Sequence, residues 1–131
     1  MKFLADTDLI IQHLRRVQRA TARIGQYTQE GLGLSIASLA ELYEGVYSSP
    51  DSARTEALMT QFLDAWVTVL DIDQEVCRIF GVQRLRLRRA GRLIGDLDLL
   101  IGSTALRHGL GVLTNNRRHF ELIEGLEIES W

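Results

Sequence analysis

The chain is predicted to be an α/β protein, a single domain whose central parallel sheet is flanked by helices on both faces. Short apolar runs typical of buried strands alternate with longer amphipathic runs typical of helices, and this alternation favours right-handed βαβ crossovers. A length of 131 residues suits one domain with its own hydrophobic core. No repeat or low-complexity linker interrupts it, so we expect one domain over residues 1–131.

The elements of the first half follow from the spacing of apolar residues. An apolar run predicts a strand at about 2–6, and a long amphipathic stretch predicts a helix at about 8–23. A second apolar run predicts a strand near 33–37, and apolar residues at helical spacing predict a helix at 38–48. The only proline, Pro50, marks the turn that follows this helix.

The second half repeats the alternation of helices and strands. Its last predicted helix, the fifth counted from the amino terminus, carries apolar residues around nearly all of its circumference, which indicates burial at the centre of the fold. The predicted elements of this half are helices at 52–65, 74–90 and 97–108, the last being the buried one, and strands at 67–72, 110–114 and 126–130.

Composition and charge limit the function classes. A hydrophobic fraction of 46% with 24% charged residues is ordinary for a globular protein. The net charge of −2 argues against a surface built for general polyanion binding. The single cysteine, Cys77, excludes an internal disulfide and favours a reducing compartment. No apolar run reaches the length of a membrane span, so we expect a cytoplasmic protein with no membrane partner.

Almost all of the positive charge is arginine, because Lys2 is the only lysine among 15 basic residues. Arginine binds phosphates through paired donors and stacks on bases, although an arginine-rich helix face can equally be a solvated surface. The two clusters are Arg15, Arg16, Arg19 and Arg23, and Arg84, Arg86, Arg88, Arg89 and Arg92.

Acidic or amide residues stand where predicted strands give way to helices. The carboxyl ends of parallel strands share one edge of a sheet, so residues distant in the sequence should meet there. Several carboxylates brought together repel one another, and a hard divalent cation such as Mg²⁺ relieves that repulsion. The spacing therefore predicts a metal site, and its candidates are Asp6, Asp8, Glu41, Asp96, Asp98 and Asn116.

Several candidates also have a purely structural interpretation. Asp6 or Thr7 could cap the first helix, and Glu41 stands three residues after Ser38, which is the spacing of a capping box. Asp96 suits an N-cap or a support for a neighbouring ligand. The segment from Thr114 to Asn116 could orient metal-bound water or could simply form an Asx turn. His13 and His108 have no partners at ligand spacing, and the sequence assigns no role to His119.

Asp98 is the most informative of these acids. On a helix it shares a face with Ile101, Gly102 and Ala105, a small apolar face suited to close packing. An unpaired charge on such a face would cost several kcal/mol or force protonation. Metal coordination resolves this conflict, so Asp98 is predicted to be a metal ligand.

With these residues in order, the chain resembles the PIN domain ribonucleases and, within them, the VapC-type toxins of bacterial toxin–antitoxin pairs. No single motif is specific, but several occur in the right order along essentially the whole chain. They are FLADTDLII at 3–11, SLAELYEGV at 38–46, IGDLDLLIG at 94–102, LTNNRRHF at 113–120 and IESW at 128–131.

The resemblance implies roles for individual residues. The acids of the family fall on Asp6, Glu41 and Asp98, which would be catalytic metal ligands. The fourth acidic position falls on Asn116, which implies a weaker or water-mediated ligand. Asp8 stands where the family more commonly has asparagine, which adds charge to the site. The residues expected to support the site are Thr7, Asp8, Asp96 and Thr114.

The resemblance also implies a function, a Mg²⁺- or Mn²⁺-dependent endoribonuclease that cuts structured RNA such as tRNA and inhibits translation. It implies a small VapB-like antitoxin as partner, bound across helices 8–23 and 38–65 with a basic side chain in the acidic site, and a toxin homodimer formed elsewhere. The alternatives are a PIN-fold RNA-processing nuclease without an antitoxin and a PIN-like binding module without catalysis.

A phosphatase of the haloacid dehalogenase type is another alternative, because Asp6 and Asp8 resemble its Asp-x-Asp start. Those enzymes form an aspartyl phosphate and need a lysine to neutralise it. The only lysine here, Lys2, lies at the opposite end of the first predicted strand. The same absence weakens a phosphoacceptor receiver domain, so both are disfavoured.

Overall fold

A computed structural model describes residues 1–131 and contains one five-stranded sheet in which every paired strand is parallel. The strand order is β3-β2-β1-β4-β5, so β1 lies at the centre with β2 and β4 on either side. The strands are β1 (Phe3–Ala5), β2 (Leu32–Ser35), β3 (Val67–Leu70), β4 (Gly111–Leu113) and β5 (Ile128–Glu129).

Seven helices accompany the sheet, and none is long and apolar enough to cross a membrane. They are α1 (Thr7–Leu14), α2 (Gln18–Gly25), α3 (Ile36–Tyr47), α4 (Ser52–Trp66), α5 (Gln74–Arg89), α6 (Asp96–Arg107) and α7 (Arg117–Phe120).

Helices cover both faces of the sheet, as predicted. Successive residues of a strand point to opposite faces, and those of β1 divide accordingly. Phe3 and Ala5 join a core cluster with residues of α1, α2, α3 and α4. Leu4 joins a second cluster with residues of α5, α6 and α7. The α/β architecture with a central parallel sheet is therefore confirmed.

The helix predicted at 8–23 is two helices, so that prediction was wrong. The backbone of Arg16 has a φ of 63°, in the left-handed region, and this ends α1. The amide of Val17 donates to the carbonyl of Gln12 at 2.9 Å, and the amide of Arg16 donates to that of His13 at 2.9 Å. These two bonds form a Schellman ending, in which glycine is the usual residue at the left-handed position.

All five predicted strands differ from the observed ones by one or two residues at one end or at both. The strand predicted at 33–37 ends at Ser35, whose hydroxyl accepts a hydrogen bond from the amide of Ala37 at 3.2 Å and so starts α3 at Ile36. The strand predicted at 126–130 is paired only at Ile128–Glu129. The short helix α7 was not predicted at all, because four residues show no periodicity.

Helix α6 is largely buried, as its composition predicts, although Leu97 in its first turn is 45% exposed. Ile101 and Ala105 are fully buried. A Cβ on Gly102 would stand 2.3 Å from Cδ1 of Ile123, so this glycine allows the close packing predicted for the Asp98 face. The position of α6, and with it that of Asp98, is fixed by this packing.

Candidate functional site

The carboxyl ends of the three central strands carry polar residues that meet at one edge of the sheet. Asp6 directly follows β1, and its amide donates to the carbonyl of Leu113 at the end of β4 at 3.0 Å. Thr114 directly follows β4, and Ser35 ends β2 and starts the helix that carries Glu41. The predicted convergence at this edge is therefore present.

Asp6 is a buried carboxylate, with 6% of its surface exposed. Oδ1 accepts from the amide of Thr7 at 2.8 Å, so the predicted helix-capping role is present. Oδ2 accepts from the hydroxyl of Thr114 at 2.7 Å. Burial, joined by the charges of Asp8 and Asp98, raises the pKa of Asp6 from 3.8 to about 6, although the hydrogen bond from Thr114 opposes the rise.

Thr7 connects Asp6 to Glu41. It is buried, and its hydroxyl donates to Oε1 of Glu41 at 2.8 Å. The capping-box alternative for Glu41 was wrong, because Ser35 rather than Ser38 caps α3 and the buried hydroxyl of Ser38 has no hydrogen-bond partner. Glu41 instead lies in the second turn of α3 and reaches towards the end of β1.

Asp98 approaches from the first turn of α6 and forms a cluster with two residues that follow β4. Nδ1 of His119 lies 2.7 Å from Oδ2 of Asp98, and Nδ2 of Asn116 lies 3.5 Å from the same oxygen. An ionised carboxylate only accepts, so the histidine contact requires the proton on Nδ1. The backbone of Asn116 is held in turn by a hydrogen bond from its amide to the hydroxyl of Thr114 at 2.9 Å.

Two of the expected supporting acids lie farther from this cluster. Asp8 is exposed, and it affects the site through its charge, which raises the pKa of Asp6. Asp96 is not the N-cap of α6, because Gly95 holds that position. Its side chain is 82% exposed and pairs with Arg84 at 2.5 Å. The predicted capping role of Asp96 was wrong because α6 begins one residue earlier than the sequence indicated.

The turn after β4 is also built differently from the Asx alternative. The hydroxyl of Thr114, rather than an asparagine side chain, accepts from the backbone amide two residues later. Asn115 faces the carboxyl terminus, where its Oδ1 accepts from the amide of Trp131 at 2.9 Å. Of the two asparagines, only Asn116 lies next to Asp98.

The donor chemistry of the site fits a divalent cation. Three carboxylates and an amide supply the hard oxygen ligands that Mg²⁺ and Mn²⁺ prefer, and burial makes the charge of Asp6 costly without a cation. As the side chains stand, no group of three or more His, Cys, Asp or Glu residues could hold a metal ion. The carboxylates of Asp6, Glu41 and Asp98 each accept a hydrogen bond from a threonine or histidine side chain, and each carboxylate has further acceptor sites for a cation.

A PIN domain model matches residues 3–126, which is nearly all of the chain. The chain belongs to the PIN domain family. It is 31% identical to ribonuclease VapC2 of Haemophilus influenzae over 133 residues, covering 100% of this chain and 98% of that protein. It is likewise 31% identical over 131 residues to the tRNA(fMet)-specific endonuclease VapC of Shigella flexneri, with the same coverage.

Solved structures of toxin–antitoxin complexes contain the same PIN fold. A chain in the crystal structure of DNA-bound VapBC from Salmonella typhimurium matches with a TM-score of 0.91 and 32% identity, covering 100% of this chain and 98% of that one. A chain of VapBC2 from Rickettsia felis, bound to a promoter DNA fragment, also matches with a TM-score of 0.91, at 25% identity and with 100% and 99% covered. The likeness therefore extends over the whole PIN domain.

His119 is the residue of the site to which the sequence alone assigns no role. It lies in α7, where Nδ1 also comes within 2.9 Å of Nδ2 of Asn116. The available signal was its spacing, since a residue three positions after Asn116 shares a face with it if the segment is helical. His13 makes no contact with the site and instead bonds to Thr21 and packs against Phe62.

Proposed function

We propose that this chain is the toxin of a toxin–antitoxin pair and that it acts as a Mg²⁺- or Mn²⁺-dependent endoribonuclease. The observation that carries the proposal is the meeting of Asp6, Glu41 and Asp98 at the carboxyl edge of the sheet, in a PIN domain chain that aligns over its full length with proteins named VapC ribonucleases. In this proposal residues 1–131 form a single catalytic domain.

In this function Asp6, Glu41 and Asp98 would hold the cation, with Asn116 as a weaker or water-mediated ligand. A divalent cation bound there would lower the pKa of a water molecule and polarise the scissile phosphate. Ordinary carboxylates are ionised at neutral pH, and the pKa of about 6 leaves Asp6 largely ionised there as well. At pH 7 Asp6 is therefore mostly in the ionised form that binds a cation.

The surrounding side chains orient these ligands. Thr114 donates to Oδ2 of Asp6, while Thr7 donates to Glu41, so one hydroxyl fixes each carboxylate. His119 donates to Asp98. Partners of this kind hold a ligating carboxylate in one rotamer and lower the cost of ordering it when the cation binds.

The partner is a small antitoxin, for which the chain offers a groove. A depression of about 250 Å³ lies between α1, α3 and α4, the region in which an antitoxin was predicted to bind. An amphipathic segment could place apolar side chains in such a groove, and a basic side chain from it would compensate the buried charge of the acidic site. The apolar residues of the groove are Ile11, Leu14, Leu42, Val46 and Met59.

The proposed substrate class is structured RNA, with tRNA as the leading candidate because one aligned relative is named a tRNA(fMet)-specific endonuclease. The test is to incubate the purified chain, freed of any antitoxin, with total bacterial RNA in Mg²⁺, in Mn²⁺ and in chelator, and to map the new RNA ends. We expect discrete cuts in a few RNAs only when metal is present. Intact RNA under every condition, with a folded protein, would contradict the proposal.

A further inference from the structure

The arginines without a carboxylate partner are unevenly distributed over the surface. Six arginines form ion pairs with acids and so contribute little free positive charge. Those without such a pair comprise one group at the junction of α1 and α2, the isolated Arg54, and a second group on the end of α5, the loop after it and α7. The second group, which we call the arginine flank, is Arg88, Arg89, Arg92 and Arg118, all exposed.

The loop that carries Arg92 is held by hydrogen bonds at both of its ends. Helix α5 ends in a Schellman motif, with Gly91 at a φ of 67° and the amide of Arg92 donating to the carbonyl of Leu87 at 2.9 Å. The other end of the loop is held by the largely buried Arg84, whose Nη1 donates to the carbonyl of Ile94 at 2.9 Å. Hydrogen bonds therefore hold the backbone on both sides of Arg92.

A surface depression of about 520 Å³ extends from two arginines of this flank towards the acidic site. Arg92 and Arg118 line it together with Leu93, which is 86% exposed. His119 also lines it, and the same histidine contacts Asp98 at 2.7 Å. The depression thus extends from two arginines without an acid partner to the histidine that contacts Asp98, and the one acid in its lining, Glu121, is paired with Arg117.

We propose that this depression is a substrate subsite in which Arg92 and Arg118 bind a backbone phosphate of the RNA next to the bond that is cut, with Leu93 against the adjoining sugar or base. This inference rests on the proposed function, since it assigns the RNA a path on one side of the acidic site. The acidic site alone repels a polyanion, and the arginines next to it supply the compensating attraction.

Phosphate is the ligand that this chemistry fits best. A guanidinium without an acid partner keeps all of its donors for the paired hydrogen bonds that phosphate accepts. A rigid loop loses little conformational entropy on binding, so more of the contact energy appears as affinity. A large exposed leucine beside two arginines suits a nucleotide, which presents an apolar face next to each charged phosphate.

The test compares Arg92→Ala and Arg118→Ala with wild type and with Arg54→Ala as matched control, because Arg54 is also exposed and unpaired but lies on α4. Binding of a short fluorescein-labelled mixed-sequence RNA is measured by anisotropy in chelator over a range of salt concentrations. We expect each flank variant to bind roughly tenfold more weakly and to lower the salt slope by about 0.7, as for one lost phosphate contact.

The outcomes separate this inference from the proposed function. Wild type that binds and cuts RNA while both flank variants bind as tightly as Arg54→Ala would overturn the subsite and leave the nuclease standing. Wild type that neither binds nor cuts RNA would overturn both. Flank variants that change the molecular mass in solution or antitoxin binding, but not RNA affinity, would assign the surface to a protein contact and overturn the subsite.

Discussion

At the scale of single residues, the informative feature is a carboxylate that the fold makes costly. Asp6 is buried next to two other acids, and its pKa of about 6 expresses the preference of the folded chain for the neutral form. A fold would gain stability by replacing it with a neutral side chain. The free-energy cost of keeping the Asp6 carboxylate ionised in a buried position is what we expect at a site that binds a cation.

Removing that charge should stabilise the metal-free protein at high pH. Because the pKa of Asp6 is higher in the folded than in the unfolded chain, protonation of Asp6 favours the folded state. This contribution to stability is fully present below pH 3.8 and is lost as pH rises through about 6. Asp6→Asn should therefore melt higher than wild type in chelator at about pH 8, by a free energy of at most about 3 kcal/mol, and the gain should disappear near pH 4.

The measurement is a series of thermal melts across pH in chelator, with the exposed Asp71→Asn as control. Mn²⁺ should then raise the melting temperature of wild type more than that of Asp6→Asn, because a ligand that binds only the folded state stabilises it by mass action. Parallel stability curves for the variant and wild type at every pH would show that the Asp6 charge carries no such cost.

The convergence of acids at one edge of the sheet could be predicted from their positions after apolar runs, but their contacts could not. Ser38 and Glu41 have capping-box spacing, yet the strand ends two residues earlier than predicted and Ser35 takes the cap. Glu41 then reaches Thr7, a contact 34 residues away that no local pattern encodes. The contact of His119 with Asp98 likewise depends on how α6 packs against the end of β4.

At the scale of elements, the break between α1 and α2 departs most from the sequence pattern. Apolar residues continue at helical spacing through the break, and the residue in the left-handed position is Arg16 rather than glycine. A local pattern therefore predicts one helix, whereas the packing of α2 requires two. The alternation of strands and helices, which depends on longer apolar runs, could be predicted correctly.

Arg16→Gly should stabilise the fold. A residue with a Cβ pays about 1 kcal/mol in the left-handed region, and glycine avoids this cost, although its greater freedom in the unfolded chain offsets part of the gain. We expect an increase in the free energy of unfolding of up to about 1 kcal/mol, measured by denaturant titration. The neighbouring Arg15→Gly is the control, since Arg15 has a φ of −85° and should only lose stability. Equal losses for both variants would contradict the strain at Arg16.

At the scale of the whole molecule, the proposed sites for RNA cleavage and for antitoxin binding lie on different surfaces. The acidic site lies at the carboxyl edge of the central strands, while the apolar groove lies between α1, α3 and α4. Both surfaces involve α1 and α3, because Asp6 caps α1 and Glu41 lies on α3. A segment bound in the groove is thus anchored on the two helices that position the acids.

A charge placed in the groove should separate antitoxin binding from catalysis. Leu14→Glu puts a carboxylate among apolar side chains of the groove, so we expect the affinity for the antitoxin to fall by roughly tenfold or more while RNA cleavage by the free toxin is retained. Affinity is measured by titration with the cognate antitoxin. Val69→Glu, at an exposed apolar position on β3, is the control. Unchanged affinity of Leu14→Glu would place the antitoxin elsewhere.

The central claim is that Asp98 holds the catalytic cation, and Asp98→Asn tests it most directly. Asp96→Asn is the matched control, because Asp96 lies in the same first turn of α6 but pairs with Arg84 at the surface. The measurement is the rate of RNA cleavage in Mn²⁺ by both variants and wild type, with thermal melts to verify folding. We predict that Asp98→Asn loses more than roughly 100-fold in rate while Asp96→Asn stays near wild type. A folded Asp98→Asn that cuts RNA as fast as wild type would contradict the claim.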